Sequence, residues 1–354
     1  MIEKEILHYK IKEKLGEGGM GVVYLAQDTK LDRMVAIKSL PQRIAGNAEE
    51  RERFKIEAKA AASLNHPNIS TIYSIEEVHD QLFIVMEYID GEELKSIVGA
   101  SSEPARTEKL DVEKVLGIAI QIAEGLQAAH KKGIVHRDIK AGNIMVTSDE
   151  RVKIMDFGLA KVQGSEQLTR EGTTIGTAAY MSPEQASHEE VDTRSDIWSF
   201  GIILYEMLTG SLPFKGDYEA AILYDIVHAT PESLQTVKPD LPGKLSEIVD
   251  RCLEKDKSKR YQAVSEIVDD LKSLRSDSKL LNQSNSSINL ENRTKNSTTF
   301  TDQINSDSIP NKKKIFIALS FLILAMIVVS FFFMSDKSET ETESVATAQK
   351  MLVV

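Results

Sequence analysis

Asp138 follows His136 and Arg137, and Lys140 and Asn143 come just behind it; a second carboxylate, Asp156, opens the triplet Asp156-Phe157-Gly158. A carboxylate can accept or orient a hydroxyl proton, and a nearby lysine can neutralise charge on a transferred group. An amide oxygen and a second carboxylate are hard donors suited to Mg²⁺. Together they are the base, counter-charge and two metal positions that phosphoryl transfer requires. A hydrophilic turn explains any of these residues singly, and Asp156-Phe157-Gly158 alone is a cheap match. The whole run from His136 to Asn143 occurs by chance very rarely.

Such chemistry needs a phosphate cradle. Gly16-Glu17-Gly18-Gly19-Met20-Gly21-Val22-Val23 falls between two strand-like runs, where glycines let backbone N–H groups approach phosphate oxygens. A dinucleotide-binding turn needs a helix straight after it, whereas Val22-Val23-Tyr24-Leu25-Ala26 continues as a strand. Val35-Ala36-Ile37-Lys38 then ends an apolar strand on a lysine. A surface lysine on an edge strand is the plainer account of it. The functional one needs a carboxylate partner, and Glu57 on the following helix is placed to supply it.

The elements that must position these residues follow from periodicity. Tyr9–Leu40 reads as strands broken by the glycine turn, Glu49–Leu64 as a helix and Gln81–Glu87 as a buried strand. Apolar residues at helical spacing predict a core helix over Val112–Lys132, with further helices at Arg194–Leu208, Ala220–Val227, Leu245–Leu253 and Val264–Leu274. A small sheet-rich lobe followed by a larger helical one is an α+β architecture.

From about Tyr9 to Leu274 these motifs resemble the eukaryotic-type (Hanks-type) protein kinases, in particular the serine/threonine group found in bacteria. The resemblance implies the two-lobed protein kinase fold: an N-lobe over about residues 9–86, a hinge at 87–89 and a C-lobe over about 90–274. It implies ATP and Mg²⁺ as cofactors. Leu15, Gly16, Glu17, Gly18, Gly19, Met20, Gly21, Val22 and Val23 would cover the nucleotide. Ala36, Lys38, Glu57, Glu87 and Ile89 would complete its site, with Lys38 on the phosphates, Glu57 as its partner and Met86 gating the adenine pocket. Asp138 would be the catalytic base, Lys140 marks the serine/threonine form of the loop, and Asn143 and Asp156 would hold Mg²⁺.

Further downstream Met181-Ser182-Pro183-Glu184 stands where the family usually has Ala-Pro-Glu. The resemblance implies a buried Glu184–Arg260 ion pair and a bracing role for Asp196. Arg137 would receive a phosphate from the segment Leu159–Ser182, with Thr169, Thr173 and Thr174 as acceptors. Thr177 would position the substrate hydroxyl near Lys140. The expected partners are protein substrates with serine or threonine, and a homodimer for autophosphorylation. A catalytically dead scaffold is the alternative; it predicts damage at Lys38, Asp138, Asn143 or Asp156, and all four are intact. His66 and His136 are expected to be structural.

Lys plus Arg at 43 against Asp plus Glu at 54 gives a net charge of −11 over 354 residues, which argues against a nucleic-acid binder. Cys252 is the single cysteine, so no intramolecular disulfide forms and a reducing compartment is expected. Residues 1–8 are an N-terminal extension without the apolar stretch of a signal peptide. Residues 275–311 turn to Ser, Asn, Thr and charge, the composition of a disordered tether. Residues 315–334 carry no charge and no proline, long enough to span the ~30 Å core of a bilayer. Lys312, Lys313 and Lys314 precede that run. By the positive-inside rule the kinase-like region stays cytoplasmic, and the tail 335–354 faces outward from a single-pass cell-membrane anchor.

Overall fold

Six antiparallel strands build the first lobe. The structure is a computed structural model that describes residues 5–18, 21–41, 47–79, 81–99, 110–157 and 175–277. The strands are β1 (Glu5–Ile6), β2 (Tyr9–Gly18), β3 (Gly21–Asp28), β4 (Arg33–Ser39), β5 (Ile72–Val78) and β6 (Gln81–Glu87), in the spatial order β1-β2-β3-β4-β6-β5. Gly21 enters β3 with φ 114°, and a side chain there would meet the Ser39 carbonyl oxygen at 1.9 Å. Only glycine fits. Val35, Ala36 and Ile37 are buried on β4, and so is Lys38. Because β4 lies between β3 and β6, Lys38 is held inside the sheet and is no edge-strand lysine. Helix α1 (Ala48–Ala62) starts at Asn47, whose side chain accepts from the N–H groups of Glu49 and Glu50, and it buries Phe54, Ala58 and Ala61.

The second lobe is mainly helical. A small sheet of β7 (Gly91–Glu93), β8 (Ile144–Thr147) and β9 (Val152–Ile154) sits beside helices α2 (Leu94–Val98) and α3 (Val112–His130). Beyond it come α4 (Ile175–Ala178), α5 (Pro183–Ala186), α6 (Thr193–Thr209), α7 (Glu219–His228), α8 (Leu234–Val237) and α9 (Gly243–Cys252), then a helix α10 over residues 264–277. Asp111 caps α3 through the Lys114 N–H, and Val115, Leu116, Ala119, Ile122, Ala123 and Leu126 face its core. Helix α6 is buried from Ser195 to Leu208 without a solvent face. A helix enclosed on every side belongs at the centre of a domain. Its Gly201 admits α9 so closely that an added Cβ would lie 2.6 Å from Cβ of buried Cys252.

Two expected boundaries shift. Residues 5–6 belong to the sheet, because β1 pairs with β2 at Ile6↔Tyr9. Residues 275–277 continue α10, where the Arg275 Nε donates to Glu113 Oε1 at 2.7 Å, so they are helical domain and not tether. Among the described residues no helix is long and apolar enough to cross a membrane. The candidate span 315–334, the rest of the tether and the tail lie outside the described residues, as does the whole second unit of the chain, Ser287–Val354.

Candidate active site

Two loops of the second lobe and one strand of the first converge here. The loop between α3 and β8 carries His136 to Asn143, and the loop after β9 carries Asp156 and Phe157. His136 is fully buried; its Nδ1 accepts from the Asp138 N–H at 3.3 Å, so its Nε2 carries the proton and donates to the Met155 carbonyl at 2.8 Å. Its ring lies 4.6 Å from that of Phe157. His136 therefore links the two loops and is structural, as expected.

Asp196 at the start of α6 accepts from the N–H groups of His136 and Arg137, both at 2.8 Å, and from the ring of His130 at 2.7 Å. Arg137 has left-handed backbone, φ 70°, which a non-glycine residue adopts only when its surroundings hold it there. Its carbonyl accepts from Gln185 Nε2 at 2.8 Å. The sequence pattern Ser182…Gln185 announces a helix capping box, and one is present, but the contact to Arg137 has no sequence signal.

The residues expected around Asp138 do meet. Lys140 Nζ donates to Asp138 Oδ2 at 2.9 Å and to Thr177 Oγ1 at 3.3 Å. Asn143 Nδ2 donates to Asp138 O at 2.7 Å and to Oδ2 at 3.0 Å. That fixes the amide nitrogen inward and leaves the Asn143 oxygen as an acceptor. Among the described residues Asp138 Oδ1 accepts no hydrogen bond, so one carboxylate oxygen remains for a substrate hydroxyl.

Asp156 is also left-handed, φ 58°, and its Oδ2 accepts from Lys38 Nζ at 2.9 Å. The expected pairing of Lys38 with Glu57 is not made. Lys38 reaches from the sheet interior to the loop after β9, where the turn at Asp156 presents a carboxylate, while half-buried Glu57 has its interactions elsewhere. Burial opposes the Asp156 charge, but Lys38, with Lys140 behind it, holds its carboxyl below the usual range. Val23 is the register partner of both Gly16 and Lys38, which sets the glycine hairpin beside the lysine. Gly19 and Met20 lie outside the described residues, as do Thr169, Thr173 and Thr174.

Behind Lys38 a cavity lined by Ala61, Ile69, Ile72, Met86, Asp156 and Phe157 runs under α1. Glu87 is expected, with Tyr88 and Ile89, to form the hinge that reads an adenine edge. Its carboxylate accepts from Lys153 Nζ at 2.7 Å (Oε1) and from the Thr71 N–H at 3.1 Å (Oε2), so its side chain braces that hinge. What residues 87–89 offer a base edge is backbone, since Tyr88 and Ile89 lie outside regular structure.

Below the site Glu184 takes two hydrogen bonds from Arg260, each 2.8 Å, with both side chains no more than 2% exposed. Ser195 of α6 donates to Glu184 at 2.6 Å, and Ser199 donates to the Tyr180 carbonyl at 2.8 Å. Tyr180 in turn donates to buried Glu206 at 2.6 Å. Helix α6 thus holds the catalytic loop through Asp196 and the segment after Thr177 through three further side chains. Hard oxygens on Asn143 and Asp156, beside a buried lysine, fit Mg²⁺ and a polyphosphate.

The sequence profile of the family described as protein kinase domain matches residues 9–270. A probable serine/threonine-protein kinase of Clostridium acetobutylicum is 41% identical over 267 residues, covering 75% of this chain and 40% of that protein. The serine/threonine-protein kinase PknB of Mycobacterium tuberculosis is 39% identical over 269 residues, covering 74% of this chain and 42% of that protein. The chain therefore spans less than half the length of these relatives. The crystal structure of the Mycobacterium tuberculosis PknI kinase domain aligns with a TM-score of 0.61 at 28% identity, covering 77% of this chain and 98% of that one.

Proposed function

We propose, from the premise that this chain belongs to the protein kinase family, that it is a serine/threonine protein kinase working at a membrane surface. The observation that carries the reading is the cluster at Asp138, where base, counter-charge, amide ligand and Thr177 lie in one hydrogen-bonded set. Asp138 Oδ1 accepts or orients the proton of the substrate hydroxyl. Lys140 holds Asp138 and Thr177 together and faces the charge that builds on the transferred group. Asn143 and Asp156 would hold Mg²⁺, and Lys38 would grip phosphate oxygens beside the glycine hairpin. When bound, ATP supplies the γ-phosphoryl group and Mg²⁺ spreads its negative charge.

The printed names of the relatives support serine and threonine as acceptors, as does Lys140 two residues beyond Asp138. We assign autophosphorylation to Thr169, Thr173 or Thr174, read by Arg137, and a homodimer as its vehicle. The apolar run 315–334 with Lys312–Lys314 before it supports a single-pass anchor with the kinase domain in the cytoplasm.

The test is transfer of label from radioactive ATP, with Mg²⁺, to a generic basic protein, followed by phosphoamino-acid analysis. Label is expected on serine and threonine, and Asp138→Asn should lower transfer by about 10²–10⁴-fold while ATP still binds. Label on tyrosine alone would overturn the specificity. Nucleotide binding without any transfer by the wild-type chain would sink the enzyme reading in favour of a scaffold.

A further inference from the structure

The structure assigns Gln185 a positioning role: its side-chain amide holds the catalytic-loop carbonyl of Arg137 and couples it to the segment that carries Thr177. The inference rests on the reading of Asp138 as the base. Arg137 sits in left-handed backbone immediately before Asp138, and both of its peptide groups are pinned by side chains from elsewhere. Its N–H donates to Asp196 Oδ1 at 2.8 Å, and its carbonyl accepts from Gln185 Nε2 at 2.8 Å. That carbonyl belongs to the peptide whose N–H is Asp138's own. Releasing it leaves that peptide plane held only by the long Asp138 N–H contact to His136 Nδ1, 3.3 Å, so the plane loosens and the placement of the Asp138 carboxylate loosens with it.

The other end of the Gln185 amide faces the opposite way. Its Oε1 accepts from the Ser182 N–H at 3.0 Å, and Ser182 Oγ accepts from the Gln185 N–H at 3.3 Å. Because Ser182 N–H can only donate, the amide oxygen must face it, which leaves the NH₂ for Arg137. Ser182 is joined to Thr177 through the short turns Tyr180 N–H to Thr177 O, 3.2 Å, and Met181 N–H to Ala178 O, 3.1 Å. The planar Gln185 amide is therefore a bridge of fixed length between the loop bearing the base and the segment bearing Thr177, beside the longer and more flexible Lys140 side chain. Helix α6 joins the same two parts only through separate side chains, Asp196 to the loop and Ser195, Ser199 and Glu206 to the segment, whereas Gln185 touches both with one amide.

Two substitutions in the full chain separate this role from plain helix capping. Gln185→Glu keeps an oxygen for Ser182 N–H and the capping box, but removes the donor to Arg137 O. Gln185→Ala removes both. For Gln185→Glu we expect an unchanged melting temperature and ATP KM, a kcat for a protein substrate lower by roughly ten- to a hundred-fold, and faster amide hydrogen exchange over residues 134–140. Gln185→Ala should add a lower melting temperature. Wild-type kcat and wild-type exchange in Gln185→Glu would overturn the inference and leave Gln185 a cap. If the wild-type chain transfers no phosphate, the kinase reading fails by itself, and the exchange measurement still decides whether Gln185 holds the loop.

Discussion

Arg260 is held by carbonyl oxygens of Arg194, Glu254 and Lys255 as well as by the two oxygens of Glu184. Its side chain is 0% exposed, so its charge is tolerable only while those acceptors stay in place. Burial works against the Glu184 charge, yet Arg260 and Ser195 hold its carboxyl below the usual 4.5. A carboxyl lowered by folding contributes stability that is present above its unfolded value and lost as pH falls through its folded value. Glu184→Gln should therefore cost about 3–5 kcal/mol at neutral pH, because an unpaired guanidinium is left buried. The gap from wild type should narrow as pH falls below about 4.5. Urea unfolding of both proteins across that range measures it; a gap constant with pH would show that the pair contributes packing and no charge linkage.

At the scale of elements, α6 is the part on which the site hangs, and at Gly201 it leaves no room for a side chain against α9. An added methyl there would press on Cβ of Cys252 at 2.6 Å and Cδ2 of Leu253 at 3.0 Å. Gly201→Ala should destabilise by about 1–3 kcal/mol through overpacking. By contrast Gly117 on α3 has only the far end of Arg275 at 3.8 Å, and Gly117→Ala should stabilise by about 0.5–1 kcal/mol. Thermal unfolding checks both signs. Long elements were legible because their burial is periodic: β6 spans Gln81–Glu87 as the sequence predicts, and α3 ends two residues before the predicted Lys132. Strand β5 was not legible, since Ile72–Val78 carries Glu76 and Glu77 and is defined by pairing with β6. The base, its lysine and its amide were legible because they share one loop. The partner of Lys38 was not, because Asp156 and Glu57 are both carboxylates far away in sequence and only the turn at Asp156 decides between them. Gln185 escaped for the same reason, reaching a backbone atom 48 residues away.

At the scale of the molecule, Lys38 of the first lobe meets Asp156 of the second, so the site is assembled only when both lobes are folded around one hinge. The proposed anchor at the apolar run 315–334 would add location to that chemistry. Deleting it from the full chain should move the protein from the membrane pellet to the soluble fraction without lowering transfer to a soluble substrate. Continued sedimentation with membranes would reject the anchor. The contact of α6 with α9 has one further consequence. It seals the only sulfhydryl of the chain, Cys252, against Gly201, and burial pushes that thiol far above its ordinary range. A thiol reagent can reach it only when those helices part, so the rate of its labelling is an intrinsic stopwatch for opening of the second lobe.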